Sequence, residues 1–276
     1  MKYVIIGIFA FVFLVFTTFF IAGLIEAGTL TVTTMTFSHP DIPAAFSGMT
    51  AAFLSDFQFG PFLSLERVRE IVRRANELAP DIILLGGDYV DTDRENRVSA
   101  TEFFAMLGGL RAPRGVYAVL GNDDYKGEEQ FIIEALEKNG INVIEDRAVW
   151  LERGSARIKL GGVRDLGTWQ YDLSPTVADT ELSDFVILLV HQPDLVPYEK
   201  NEKIDLAFCG HTHGGQINLF GWSPFVPSSY GYRFREGVVQ EGNTTMIITR
   251  GIGTVILPIR LGAPPEIVLV TFMSGK

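Results

Sequence analysis

The chain has 276 residues, 47% of them hydrophobic and 20% charged, with a formal net charge of −10. That balance allows a sizeable core and excludes wholesale disorder, while the acidic surface argues against a nucleic-acid partner, which needs basic surface. The one cysteine, Cys209, excludes an internal disulfide and reads as a small core hydrophobe.

From Tyr3 to Ile25 no residue is charged. At about 1.5 Å per residue the stretch reaches roughly 34 Å, enough to cross a hydrocarbon core of about 30 Å. A cleaved signal peptide would have a shorter apolar region and small residues in an A-x-A pattern, whereas "FIA" and "IEA" begin with Phe20 and Ile25. An uncleaved membrane anchor over residues 1–27 is expected. Lys2 precedes the span and no Lys or Arg follows until Arg67, so the positive-inside rule places the soluble part outside the cytoplasm.

Pro40, Pro43 and Gly48 punctuate an expected connector over 28–49, ahead of a single domain over 50–276. "TAAFLS" reads as a buried strand ending at Asp56. "SLERVREIVRRANELAPD" is a helix capped by Ser64, with Val68, Ile71, Val72, Ala75 and Leu78 on one face and Pro80 as its stop. "DIILLGG" is a strand ending at Asp88, a helix covers about Ser99 to Leu110, and "GVYAVLG" is a strand ending at Asn122. "EEQFIIEALEKNG", from Glu128, is a helix closed by Gly140. "INVIED", "AVWLER" and "ARIKLGGV" read as short strands forming hairpins. "DFVILLVH" and "IDLAFCGH" are again buried strands, ending at His191 and His211, before "TTMIITRG" and "EIVLVTF" close the chain. Alternating strands and helices at this spacing indicate an α/β domain around a largely parallel sheet.

Asp56, Asp88, Asn122, His191 and His211 all stand at or just past the end of an apolar strand, and His213 follows two residues on. In open α/β sheets the ligand crevice lies beyond the carboxyl ends of the strands. Singly, an Asp after a strand is commonly a turn or cap residue. The set is different. It gathers carboxylates, an amide and three of the chain's four histidines, donors that suit divalent cations, and neighbouring imidazoles at a glycine turn are costly to bury without partners.

"LSDFQFG", "LLGGDYVD", "VLGNDDY", "LLVHQPD" and "CGHTHGGQ" resemble, in order, the five motif blocks of the calcineurin-like metallophosphoesterase superfamily. "HTHGGQ" and "RGIGTVILPIRLGAPPEI" look like its membrane-associated or exported phosphodiesterase branch. The resemblance implies a four-layer α/β/β/α sandwich and two divalent metals (Mn, Mg, Zn or Fe). It also implies phosphate-ester hydrolysis by a metal-bound hydroxide. Carried over, Asp56, Asp88 and His213 match ligands of the first metal, and the bridging Asp88, with Asn122, His191 and His211, those of the second.

Two positions depart from the family pattern. Gln58 stands where the first block has a histidine ligand, giving the first metal a weaker or harder donor. Asp123 takes the catalytic position of the histidine that protonates the leaving group, and beside two cations its carboxylate should stay ionised. A degenerate relative that binds metal or a phosphorylated ligand with little turnover is therefore the alternative to a working hydrolase. Downstream, Phe220, Trp222, Phe225, Tyr230 and Tyr232 come with no charge before Arg233. Such a segment either packs on its own domain or forms an apolar rim for a phospholipid or other lipid-linked phosphate.

Overall fold

The computed structural model describes residues 2–91, 97–126, 129–168 and 170–275. It begins with the expected apolar helix, α1 (Lys2–Ala27), which is long and apolar enough to cross a membrane. Two six-stranded sheets follow. The first has the order β1-β12-β2-β3-β4-β5, built from β1 (Thr31–His39), β2 (Thr50–Leu54), β3 (Ile82–Leu85), β4 (Val116–Ala118), β5 (Asn142–Val143) and β12 (Glu266–Ser274). The second has the order β10-β11-β9-β8-β7-β6, built from β6 (Arg147–Arg153), β7 (Ala156–Gly162), β8 (Val186–Val190), β9 (Leu206–Cys209), β10 (Gly237–Glu241) and β11 (Thr244–Ile248).

Alternation along each strand sorts the core into three parts. In β2, Ala51 and Phe53 face the second sheet, joining Leu84, Leu160, Leu189 and Phe208 between the sheets. Ala52 and Leu54 face the other way, onto α2 (Leu65–Glu77), α3 (Arg97–Leu107) and α4 (Glu129–Lys138). On the far side of the second sheet, Val186, Leu188 and Cys209 pack with Leu195 and Val196 of α6 (Leu195–Glu199), which follows the short α5 (Ser174–Val177). The result is the expected α/β/β/α sandwich, with Cys209 in its core.

Local signals act as their chemistry dictates. The Ser64 hydroxyl accepts from Arg67 N–H at 3.2 Å, and α2 buries Val68, Ile71, Val72 and Ala75. After α4, Gly140 has φ +78° and Ile141 N–H reaches back to Leu136 O at 3.1 Å. Glu128, expected at the start of α4, lies outside the described residues. β2 to β5 run parallel, as do β7, β8, β9 and β11, while β6 and β7 form the expected hairpin.

The stretch 28–49, expected as a connector, contributes β1, which pairs in parallel with β12 from Thr31↔Glu266 to His39↔Ser274. The sheet therefore begins well before residue 50.

Candidate metal centre

β2, β3 and β4 of the first sheet and β8 and β9 of the second end at the same edge of the sandwich, and the loops that leave them meet. Asp56 N–H donates to Gly87 O at 2.9 Å, and Gln58 N–H to Asp88 O at 3.0 Å, lacing the loops after β2 and β3 together. His211 N–H donates to both oxygens of Asp56, at 2.9 and 3.1 Å, tying in the loop after β9. Asp123 N–H donates to Asp88 Oδ1 at 2.9 Å from the loop after β4.

Such crowding demands unusual backbone. Asp56, Gln58, Asp88, His211 and His213 all have φ between +45° and +72°, a region that residues with a Cβ rarely occupy. Strain of this kind persists where surrounding contacts hold it, and it gathers at functional sites. Two glycines are required for the approach. A Cβ on Gly121 would sit 2.2 Å from Asp88 Oδ1, and one on Gly210 would sit 2.1 Å from Ser55 Oγ.

All seven residues expected to bind metal reach this edge. One ligand atom each of Asp88, His191 and His211 lie within 4.8 Å of one another, as do one each of Asp56, Asp88 and His213. The two groups share Asp88. His191 Nε2 stands 3.3 Å from Asp88 Oδ2, and His213 Nε2 3.6 Å from Asp56 Oδ1. Gln58 presents its amide nitrogen to the centre, donating to Asp88 Oδ2 and to Asp123 Oδ2 at 2.9 Å each. That nitrogen has no lone pair for a metal, so ligation by Gln58 would need Oε1 turned inward.

The sequence reading missed the supports. Asp124 is fully buried and accepts from Asp88 N–H, Tyr89 N–H and Gly121 N–H at 2.8–2.9 Å, fixing the two loops that carry Asp88 and Asn122. Arg260, also fully buried, donates to Gly253 O, Ala263 O and His213 O and lies 3.4 Å from His213 Nδ1. The doubled aspartate of "GNDD" was the available signal for Asp124; nothing local marks Arg260.

The calcineurin-like phosphoesterase profile matches residues 49–215. The metallophosphoesterase YkuE of Bacillus subtilis (strain 168) is 32% identical over 259 residues, covering 92% of this chain and 89% of its own. This chain belongs to the calcineurin-like phosphoesterase family. The phosphodiesterase YaeI of Escherichia coli (strain K12) is 33% identical over 223 residues, covering 79% of this chain and 80% of its own. A transmembrane protein with a metallophosphoesterase domain from Danio rerio is 28% identical over 244 residues, covering 82% of this chain and 53% of its own. The chain is a metallophosphoesterase, a hydrolase of phosphate esters.

The side chains of this phosphoesterase fit the divalent ions its family binds. His191 Nδ1 lies 2.7 Å from Gly86 O, so in the neutral ring the proton sits there and Nε2 carries the lone pair. Asn122 Oδ1 and His191 Nε2 are buried and have no hydrogen-bond partner, although the Asp88 carboxylate lies 3.3 Å from the latter, an expensive state that a bound cation would relieve. Charge follows the same pattern. Burial, aided by the charge of Asp88, lifts the Asp56 carboxyl to about 6. Asp88 is equally buried, yet the imidazoles of His191 and His211 outweigh burial and bring it down to about 2. Burial and the charge of His191 push His211 down to about 4, and burial with the Arg260 guanidinium pushes His213 down to about 3. Both imidazoles are thus neutral near pH 7, as ligands must be.

Proposed function

We propose that this phosphoesterase holds two divalent ions and hydrolyses a lipid-linked phosphodiester at a membrane surface. Asp56, Asp88 and His213, with Gln58 beside them, would hold one ion, and Asp88, Asn122, His191 and His211 the other. Three imidazoles among the donors favour Zn, Fe or Mn over Mg. When bound, such a pair polarises a phosphoryl oxygen and acidifies water for in-line attack. The Asp123 N–H and the Gln58 amide donate to Asp88 and orient its carboxylate, and the fully buried Asp56 and His191 keep bulk water from the inner side.

One observation carries the lipid part of this reading. The loop after the "HTHGGQ" turn is anchored through the buried Ser223 and Phe234 but leaves large apolar side chains in solvent. Phe220 is fully exposed, and Trp222 and Phe225 are 57% and 70% exposed. Tyr230 and Tyr232 are more engaged, the first tilted against the Phe234 ring with centroids 4.6 Å apart and the second donating to Ser223 O. Ile256 and Leu257, on the neighbouring loop, are exposed as well. The loops are joined where Gln216 Nε2 donates to Val255 O and Leu257 O and Asn218 N–H donates to Leu261 O. Between them lies an apolar cavity of about 200 Å³, lined by His213, Ile217, Phe225, Val255 and Leu257. An exposed apolar patch beside a catalytic centre suits an acyl chain or a bilayer interface.

The apolar α1 would anchor the domain, and Lys2 before the helix with no cation until Arg67 favours a domain outside the cytoplasm. A reporter fused at the carboxyl terminus and active only outside the cytoplasm reads that orientation. The substrate is tested by comparing turnover of a phospholipid diester in vesicles with that of soluble bis-(p-nitrophenyl) phosphate. Phe225→Ser with Leu257→Ser should lower vesicle turnover at least about tenfold, as expected for losing about 1.4 kcal/mol of apolar contact, and leave soluble turnover within about twofold. Equal losses on both substrates would remove the lipid reading.

A further inference from the structure

At position 123 the family's proton-donating histidine is replaced by a carboxylate whose two oxygens both accept hydrogen bonds. The turn after β4 supplies what is missing. Lys126 N–H donates to Asp123 O at 3.1 Å, closing the turn, and the Lys126 ammonium lies 2.7 Å from Asp123 Oδ1. That same oxygen accepts from Asn122 Nδ2 at 2.9 Å, while Asp123 Oδ2 accepts from Gln58 Nε2. The carboxylate is therefore a bracket. One oxygen reaches the Gln58 amide, itself bonded to Asp88; the other holds a cation one hydrogen bond from the Asn122 side chain.

The two departures from the family pattern, Gln58 and Asp123, are thus in contact, and each gives the other a partner. Lys126 sits at the mouth, its side chain 54% exposed against 21% for Asp123. Arg260, the other cation in contact with a metal-site residue among the described residues, is fully buried, and its guanidinium is engaged by the carbonyls behind His213. It cannot turn to a substrate.

We infer that Lys126, tethered by Asp123, is the proton donor to the leaving oxygen of the phosphate ester. As water oxygen attacks phosphorus, one P–O bond forms. The bond to the leaving group breaks with its electron pair on the departing oxygen, and that oxygen takes a proton from Nζ. The neutral amine regains a proton from solvent, balancing the one the attacking water gives up. Before the step the ammonium also offsets the negative charge of Asp123 and faces the phosphate. The inference rests on phosphate-ester hydrolysis at this centre and is independent of the lipid reading.

The test is a leaving-group series of bis-(p-nitrophenyl) phosphate, diphenyl phosphate and a glycerophosphodiester, measured with Mn²⁺-loaded wild type, Lys126→Met, Lys126→Arg and Asp123→Asn. Good leaving groups need no acid, so Lys126→Met should slow the nitrophenyl ester less than about tenfold and the alkyl ester about 10²-fold or more. Lys126→Arg restores the charge without a transferable proton, so it should recover phosphate affinity and leave the alkyl ester slow. Asp123→Asn, which loosens the tether, should fall on the same side. Loss shared equally by all esters, or no loss, overturns the inference. Affinity for inorganic phosphate gives an answer without turnover: Lys126→Met should weaken it about tenfold, and an unchanged value also overturns the inference. Failure of wild type to hydrolyse any ester would count against the hydrolase reading alone. The exposed pair contributes little to folding, so an unaltered melting temperature separates chemistry from misfolding.

Discussion

Before a metal can bind, the Asp56 carboxyl, lifted to about 6 by burial and by Asp88, must give up its proton. His191, which the carboxylates of Asp88, Asp56 and Asp165 raise well above the ordinary histidine value despite its burial, must do the same. Asp88 at about 2, His213 at about 3 and His211 at about 4 are already deprotonated above pH 5. Raised groups bind protons in competition with metal, so affinity should fall as pH drops through 6 and still be rising at pH 7. Calorimetric titration with Mn²⁺ at pH 5, 6 and 7 reads this directly, and a flat affinity would contradict it. In the same titration Asp88→Ala, which removes the carboxylate common to both groups, should leave neither site, whereas Gln58→Ala should weaken one by about 10–100-fold. The ligands themselves were legible in the sequence because each lies within a few residues of the end of an apolar strand, and strand ends converge. Their supports were not. Asp124 and Arg260 act through hydrogen bonds between loops distant in sequence, Lys126 through the way its turn folds back on Asp123, and Gln58 faces the centre with its nitrogen because Asp123 is there to accept from it.

Among the elements, β1 was the least legible. "TVTTMTFSH" holds no apolar run, but its odd-numbered residues, including Met35, Phe37 and His39, turn inward while Thr34, Thr36 and Ser38 are exposed. Alternation of this kind marks a half-buried strand, and its partner β12 lies more than two hundred residues away, beyond the reach of local pattern. Met35 and Phe37 pack against the core between the sheets, and His39 Nε2 comes within 3.8 Å of Asp205 Oδ1 at the start of β9. β1 therefore shields β12, which would otherwise become a long exposed edge. A variant lacking residues 1–28 keeps the strand and should melt cooperatively. One lacking residues 1–39 loses the burial of two large side chains, about 3–5 kcal/mol, and should unfold at lower denaturant and aggregate through β12. Equal midpoints for the two would show that β1 adds nothing to the sheet. The buried parallel strands, by contrast, were plain from their continuous apolar runs, since both faces of each are covered.

At the scale of the whole molecule, one residue, Arg260, links the apolar helix α1 to the candidate metal centre. Gly23, the buried position of α1, accepts from Arg260 N–H through its carbonyl at 3.0 Å, and Glu26 Oε1 accepts from Ala263 N–H at 2.8 Å. The Arg260 side chain then continues to Gly253 and His213. The end of the apolar helix is thereby docked on the loop that carries the exposed Ile256 and Leu257, so an α1 embedded in a bilayer would hold those side chains and the adjoining cavity near its surface. Gly23 permits the docking because it has no side chain: a Cβ there would come within 2.8 Å of Ile259 Cβ. Gly23→Leu should therefore push the helix off the loop while leaving the ligand loops in place. In reconstituted vesicles its turnover of a lipid diester should drop about tenfold, since a domain free to tumble on its tether spends less time with the cavity facing the bilayer. Turnover of bis-(p-nitrophenyl) phosphate in the same vesicles should stay within about twofold. If the variant keeps full activity on the lipid, docking of the anchor does not orient the site, and the exposed aromatic loops must find the membrane unaided.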